Sequence, residues 1–197
     1  MHWVDSARTV PSPQDDAARP GFACGVCGQW HDRLPFSYSV KVPFAVAAIP
    51  AEELDRRVVF TLDQCVIDDR DFYLRGSIPI PVWEKRDPFI WGVWARVSRV
   101  DFARTNELWK VKGREAAPAY PGWLDTKIPL YGETLYCEIL GLEVRVLTQV
   151  VGQRPHFELA DAAHPLAVEQ REGIFVQRVR DIAEAFLHPR ADRRFGT

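Results

Sequence analysis

The chain has 197 residues, 47% of them hydrophobic and 26% charged, with a formal net charge of -2, a length that suits one domain, or one domain with an appended tail, and a composition that can fill a core. The near-neutral balance leaves no electrostatic footprint for nucleic acid or an anionic membrane, no apolar run is long enough to span a bilayer, and Met1 to Ala18 lacks the apolar segment of a secretory signal. A cytoplasmic setting is expected, where thiols stay reduced, so the four cysteines read as metal ligands or buried thiols rather than a disulfide framework.

Residues 1–20 read as a mobile leader, polar from Ser6 on and carrying Pro11, Pro13 and Pro20. Residues 21–188 are expected to form a single α+β domain and 189–197 a flexible tail. The domain opens on Cys24-Gly25-Val26-Cys27-Gly28-Gln29-Trp30-His31. A two-residue gap lets both sulfurs reach one tetrahedral centre, with Zn–S bonds of about 2.3 Å. Gly28 can curl the backbone beneath the second sulfur at no Cβ penalty. That is the form of a zinc knuckle, and His31 is placed as a third ligand. A closed structural site needs four ligands. Cys65 is the choice for the fourth, carried there by the apolar run Val58-Val59-Phe60, with His164, His156 and Cys137 as competitors. The expected cofactor is therefore one structural zinc held by Cys24, Cys27, His31 and Cys65. The alternatives are a metal-free turn with two buried thiols, a redox pair, or a catalytic zinc with an open position. The redox reading is disfavoured because a thioredoxin-type motif follows a strand and opens a helix, whereas this one runs into Asp32-Arg33-Leu34-Pro35.

Phe36 to Phe44 alternates apolar and polar residues, which predicts a half-buried strand with Pro43 near a sheet edge. Pro50 to Arg57 has proline in its first turn, acids next and arginines last, the order of a short helix. Val58 to Ile67 reads as a strand, Asp68 to Asp71 as a turn, and Phe72 to Val82 as a strand broken by Gly76, Pro79 and Pro81. Phe89 to Val97 is apolar almost throughout and predicts a central strand covered on both faces. Ser98 and Asp101 match a capping box for a helix from about Val100 to Lys110.

Lys112 to Trp123, with two glycines and two prolines, is expected to be a long loop. Strand signal returns over Leu135 to Thr148, where Leu142, Val144 and Val146 share one face, and Phe157 to Leu159 is a further short strand. Asp161 to Gly173 is a helix signal with Pro165 at the first position and Gly173 as the stop. A last amphipathic helix carries Val176, Val179, Ile182, Ala183 and Phe186 on one face. There is no internal repeat. The sum is an α+β chain: an antiparallel, twisted sheet of about five or six strands, with three or four helices and an N-terminal zinc knuckle.

Several stretches recur together in one known family. They are Cys24-x-x-Cys27-Gly28-x-x-His31 with Leu34-Pro35, Asp63-Gln64-Cys65-Val66-Ile67-Asp68, Trp91-Gly92-Val93-Trp94, Gly122-Trp123-Leu124, and His164-Pro165-Leu166-Ala167 with Glu169-Gln170-Arg171-x-Gly173-Ile174. The chain resembles the bacterial family called domain of unknown function 2199 over roughly Cys24 to Ala183. One departure is Ala119-Tyr120-Pro121 ahead of Gly122-Trp123. The resemblance implies a single compact domain and favours Cys65 as fourth ligand, and it carries no activity.

Five of the seven tryptophans, Trp83, Trp91, Trp94, Trp109 and Trp123, fall mid-chain. They read as an aromatic core, with Trp123 as the candidate for a solvent-facing contact. His164, Glu169, Arg171, Asp63 and Asp68 would form a polar cluster if their segments met, and a histidine with a carboxylate can do general acid–base work. Helix caps and surface ion pairs explain them equally. No nucleophile elbow, His-Glu-x-x-His pair or phosphate loop specifies a reaction. The expectation is a zinc-stabilised protein-interaction module, its partner an unknown protein rather than nucleic acid or membrane. The alternative is a small hydrolase-like enzyme using His164.

Overall fold

A computed structural model describes residues 21–128, 130–131 and 138–189. The leader, the tail from residue 190 and Cys137 lie outside the described residues. The chain packs as two compact units, one holding residues 21–35 and 177–189, the other Phe36–Val176.

The smaller unit begins with an antiparallel ribbon. β1 (Phe22–Ala23) pairs with β2 (Trp30–His31), Phe22 opposite His31 and Ala23 opposite Trp30. Cys24 to Gln29 make the loop between them. It is tightened by the Cys24 N–H donating to the Gln29 carbonyl and the Gly28 N–H to the Cys24 carbonyl, both at 2.9 Å.

The larger unit contains, in order, β3 (Ser37–Ser39), α1 (Leu54–Arg57), β4 (Val58–Phe60), β5 (Gln64–Ile67), β6 (Asp71–Ile80), β7 (Phe89–Val97), α2 (Arg99–Leu108), β8 (Tyr120–Leu124), β9 (Glu143–Leu147), β10 (His156–Leu159) and α3 (Pro165–Glu172). Among the described residues α4 (Val176–Leu187) is the last of four α-helices and, with Ile182 and Ala183 buried, carries the expected apolar face.

Strands β6 to β10 form a meander, each antiparallel to the next. In such a meander the first and fifth strands run the same way, so the pair that closes it must be parallel. His156 of β10 does pair parallel with Ser77 of β6, and the five strands close into a barrel. β3 lies parallel to β7, and β5 and β4 continue from β6, giving a sheet of eight strands among the described residues. The α+β class holds, but the sheet is larger than the five or six strands expected and it closes. Closure depends on Gly76. The Phe157 ring lies where a side chain at residue 76 would be, and a Cβ there would collide with its Cζ. Leu74, Ile78, Trp91, Val93, Val146 and Phe157 are buried along the same alternation.

The opposite face of β5–β7 holds a second core of Cys65, Ile67, Tyr73 and Trp94, covered by Val40, Ala45, Val46, Ile49 and Val58. With apolar packing on both faces, β7 is the central strand its sequence predicts.

Local expectations fare unevenly. Ser98 caps α2: its Oγ accepts from the Asp101 N–H at 3.0 Å and donates to Asp101 Oδ2 at 2.6 Å. His164 caps α3 with Pro165 in its first turn. Asp68 and Asp69 turn between β5 and β6 with φ of 52° and 49°, a conformation aspartate tolerates. The strand expected over Val58–Ile67 is instead a hairpin, because Thr61 Oγ1 accepts from the Asp63 and Gln64 N–H groups and bends the chain. The strand expected over Phe36–Phe44 is cut to β3; Pro43 starts a short 3-10 turn over Phe44–Ala48, whose apolar residues roof the second core. The loop expected over Lys112–Trp123 ends in β8, where Tyr120, Gly122 and Leu124 face inward despite Pro121.

Candidate metal centre

The loop of the N-terminal ribbon brings Cys24 and Cys27 together. Gly28 makes this possible by taking φ of +68°, the left-handed conformation the knuckle spacing predicted. β2 then returns His31 to the same side, where its ring stacks on Phe22 at 5.2 Å. The fourth member comes from the other end of the chain. α4 ends at Leu187, and the helical hydrogen bond from the His188 N–H to the Glu184 carbonyl, at 2.8 Å, holds His188 one residue beyond it. His188 meets the His31 ring edge-on at 6.2 Å. Ala183, on the buried face of α4, packs with Phe22, Cys24 and Leu34 and sets the helix against the ribbon.

The ligand atoms of Cys24, Cys27, His31 and His188 all lie within 4.8 Å of one another, close enough to hold a metal ion. They divide into two sulfur–nitrogen pairs. Cys24 Sγ stands 3.2 Å from His188 Nε2, and Cys27 Sγ stands 3.5 Å from His31 Nε2. A tetrahedral ion with bonds of about 2.3 Å to sulfur and 2.0 Å to nitrogen separates those atoms by about 3.5 Å, so both pairs fit. The pairs differ in access: Cys24 is only 2% exposed, whereas Cys27 is open to solvent. Glu184 stands behind the loop, its Oε1 accepting from the Gly25 N–H at 2.5 Å.

Three of the four residues expected from the sequence, Cys24, Cys27 and His31, are thus assembled. Cys65, expected as the fourth, is in β5 within the core of the larger unit, beside Tyr73 and Trp94. Burial, with the nearby Asp125 carboxylate, pushes its thiol up to about 11, which disfavours the thiolate a metal needs. His188 was missed because it reads only as the end of an amphipathic helix, 164 residues from Cys24. Its one signal is a histidine directly after the helix whose buried face carries Ala183.

Asp63, Asp68 and Arg171 have partners of their own, whereas Glu169 and His164 both meet Tyr131, whose ring lies 6.5 Å from that of His164. Asp63 pairs with Arg154 at 2.6 Å, and Asp68 with Arg57 through two hydrogen bonds of 2.9 and 2.6 Å. Glu169 accepts from the Tyr131 hydroxyl, and Arg171 reaches the Ala162 carbonyl and Glu172. His164, 5% exposed, accepts from the Leu166 N–H through Nδ1 at 3.1 Å. Trp91 and Trp94 are core residues, and Trp123 sits on β8 rather than on a loop, 37% exposed. More exposed is an aromatic pair the sequence did not single out. Trp83 stacks on Phe175 at 6.3 Å and 22°, with 67% and 63% of their surfaces open.

A family model described as an uncharacterized protein conserved in bacteria, DUF2199, matches residues 23–174. The chain belongs to that family. The match takes in Cys24, Cys27, His31 and Cys65 of this DUF2199 chain and stops short of His188. No curated protein and no solved structure matches it. Among the described residues, no helix is long and apolar enough to cross a membrane.

Proposed function

We propose that this chain is a non-catalytic, zinc-stabilised protein-interaction module, with one zinc held by Cys24, Cys27, His31 and His188. The observation that carries the zinc is the closeness of two sulfurs and two imidazoles within 4.8 Å. Two thiolates offset the charge of the dication, and two sulfurs with two nitrogens suit zinc above magnesium or calcium, which prefer oxygen. Four protein ligands fill a tetrahedron and leave no position for substrate, so the ion is structural. It fastens a ribbon of two-residue strands to the end of α4, where Phe22, Cys24 and Ala183, with Leu34 against them, form a small apolar cluster. A core that small gains most of its stability from a cross-link. Metal analysis of the purified chain tests this: about one zinc per chain is expected, with a lower melting temperature after chelation.

The docking half of the reading is supported by Trp83 and Phe175, a stacked pair left in water. Large aromatics are enriched where proteins meet, because they bury much area at low conformational cost. Trp123 is the second contact candidate. Tagged chain should retain a specific protein from its own cell extract, and a Trp83→Ala, Phe175→Ala double variant should lose it. Turnover of a metabolite that His164→Ala abolishes would instead support an enzyme.

A further inference from the structure

We infer that the metal centre is a thiol-redox switch, in which peroxide joins Cys24 to Cys27 and expels the zinc. The inference rests on the zinc reading above and adds a regulation to it. Its basis is the asymmetry of the two sulfurs. Cys27 is exposed beside His31, whereas Cys24 is buried beside His188. Metal-bound sulfur is thiolate, the nucleophilic form, and an oxidant arriving from solvent meets Cys27 first. Cys24, shielded in the same loop with its sulfur within 4.8 Å, is placed to resolve the product before it oxidises further.

The chemistry closes with hydrogen peroxide as oxidant. The Cys27 thiolate attacks one peroxide oxygen, the O–O bond breaks, and sulfenic acid forms as hydroxide leaves. The Cys24 thiolate then attacks Cys27 Sγ, the S–S bond forms, the S–O bond breaks, and a second hydroxide leaves. Two electrons pass from the sulfur pair to peroxide, and buffer protons convert the hydroxides to water. The ion loses both negative ligands and keeps only His31 and His188, too few to hold a dication against water. Release unties the ribbon from the end of α4. Reduction by a dithiol restores both thiolates and the site.

The test uses the full, zinc-loaded chain treated with hydrogen peroxide, with released zinc read by a chelating dye and cysteine products by peptide mapping. The expected result is loss of the single zinc, a disulfide between Cys24 and Cys27, and recovery of both after dithiol and zinc are supplied. Cys65→Ser should behave as wild type. Cys24→Ser, which removes the resolving sulfur, should accumulate trappable sulfenic acid at Cys27. Zinc retained under peroxide overturns the switch, as does release with Cys27 over-oxidised and no bond to Cys24. A chain that takes up no zinc before peroxide is added overturns the metal reading itself.

Discussion

His188 Nε2 stands 3.2 Å from Cys24 Sγ, joining the end of the last helix to the loop of the first hairpin. That contact makes the candidate metal centre a link between distant parts of the chain. Replacing His188 should therefore cost as much as replacing a cysteine of the knuckle. We expect His188→Ala and Cys27→Ser each to lower zinc affinity by at least about tenfold and Cys65→Ser to leave it unchanged, read by competition with a chelating dye.

Glu184 accepts a hydrogen bond from the Gly25 N–H and so fixes the peptide between the two cysteines. Groups that orient metal ligands typically matter by about 10–100-fold in affinity. Glu184→Ala should lower zinc affinity within that range while leaving the stoichiometry at one. An unchanged dissociation constant would remove Glu184 from the site.

The barrel's closure turns on Gly76 and Phe157. A methyl group at residue 76 would collide with the Phe157 ring, and overpacking of this kind costs about 1–3 kcal/mol. Gly76→Ala should be destabilised by about that amount in a urea titration. Combined with Phe157→Leu, it should cost clearly less than the sum of the two single changes, because the smaller side chain vacates the contested space. Simple additivity would mean that the two residues do not meet.

What was legible in the sequence was what is local. Ser98 with Asp101, and His164 with Pro165, mark helix starts from a few neighbouring residues, and the Cys24–Cys27 spacing with Gly28 marks the knuckle. What escaped depends on distant pairing. Nothing near His156 or Ser77 announces that their strands pair in parallel and close a barrel. Pro121 and Gly122 look like loop residues, yet β9 supplies Val146, Arg145, Val144 and Glu143 as partners and makes Tyr120–Leu124 a strand. A cysteine on a strand such as Cys65 is equally suited to a ligand or a core, and its neighbours Tyr73 and Trp94 come from other strands that its local sequence does not announce.

Asp125 makes a pH prediction. Burial holds its carboxyl above the ordinary 3.8, partly offset by the Ala45 N–H that donates to Oδ2 at 3.0 Å. The folded chain then binds this proton more tightly than the unfolded chain. The stability it contributes is greatest below pH 3.8 and falls as pH rises through the folded value. Asp125→Asn keeps an acceptor for Ala45 without the buried charge. It should equal or exceed wild type in stability at neutral pH, with the gap narrowing on acidification. A gap that widens on acidification would contradict the sign.

The buried Cys65 thiol, raised to about 11, should be almost inert. At pH 8 its small thiolate fraction alone slows alkylation at least about a hundredfold relative to a free cysteine. Maleimide labelling followed by peptide mapping should mark Cys27 early in the metal-free chain and Cys65 only on unfolding.

The most direct measurement is X-ray absorption at the zinc edge on the purified full chain, beside its metal content. One zinc per chain is expected, with two sulfurs at about 2.3 Å and two nitrogens at about 2.0 Å, and one nitrogen fewer from protein in His188→Ala. No bound zinc, or a shell of three sulfurs that loses one in Cys65→Ser, would contradict it.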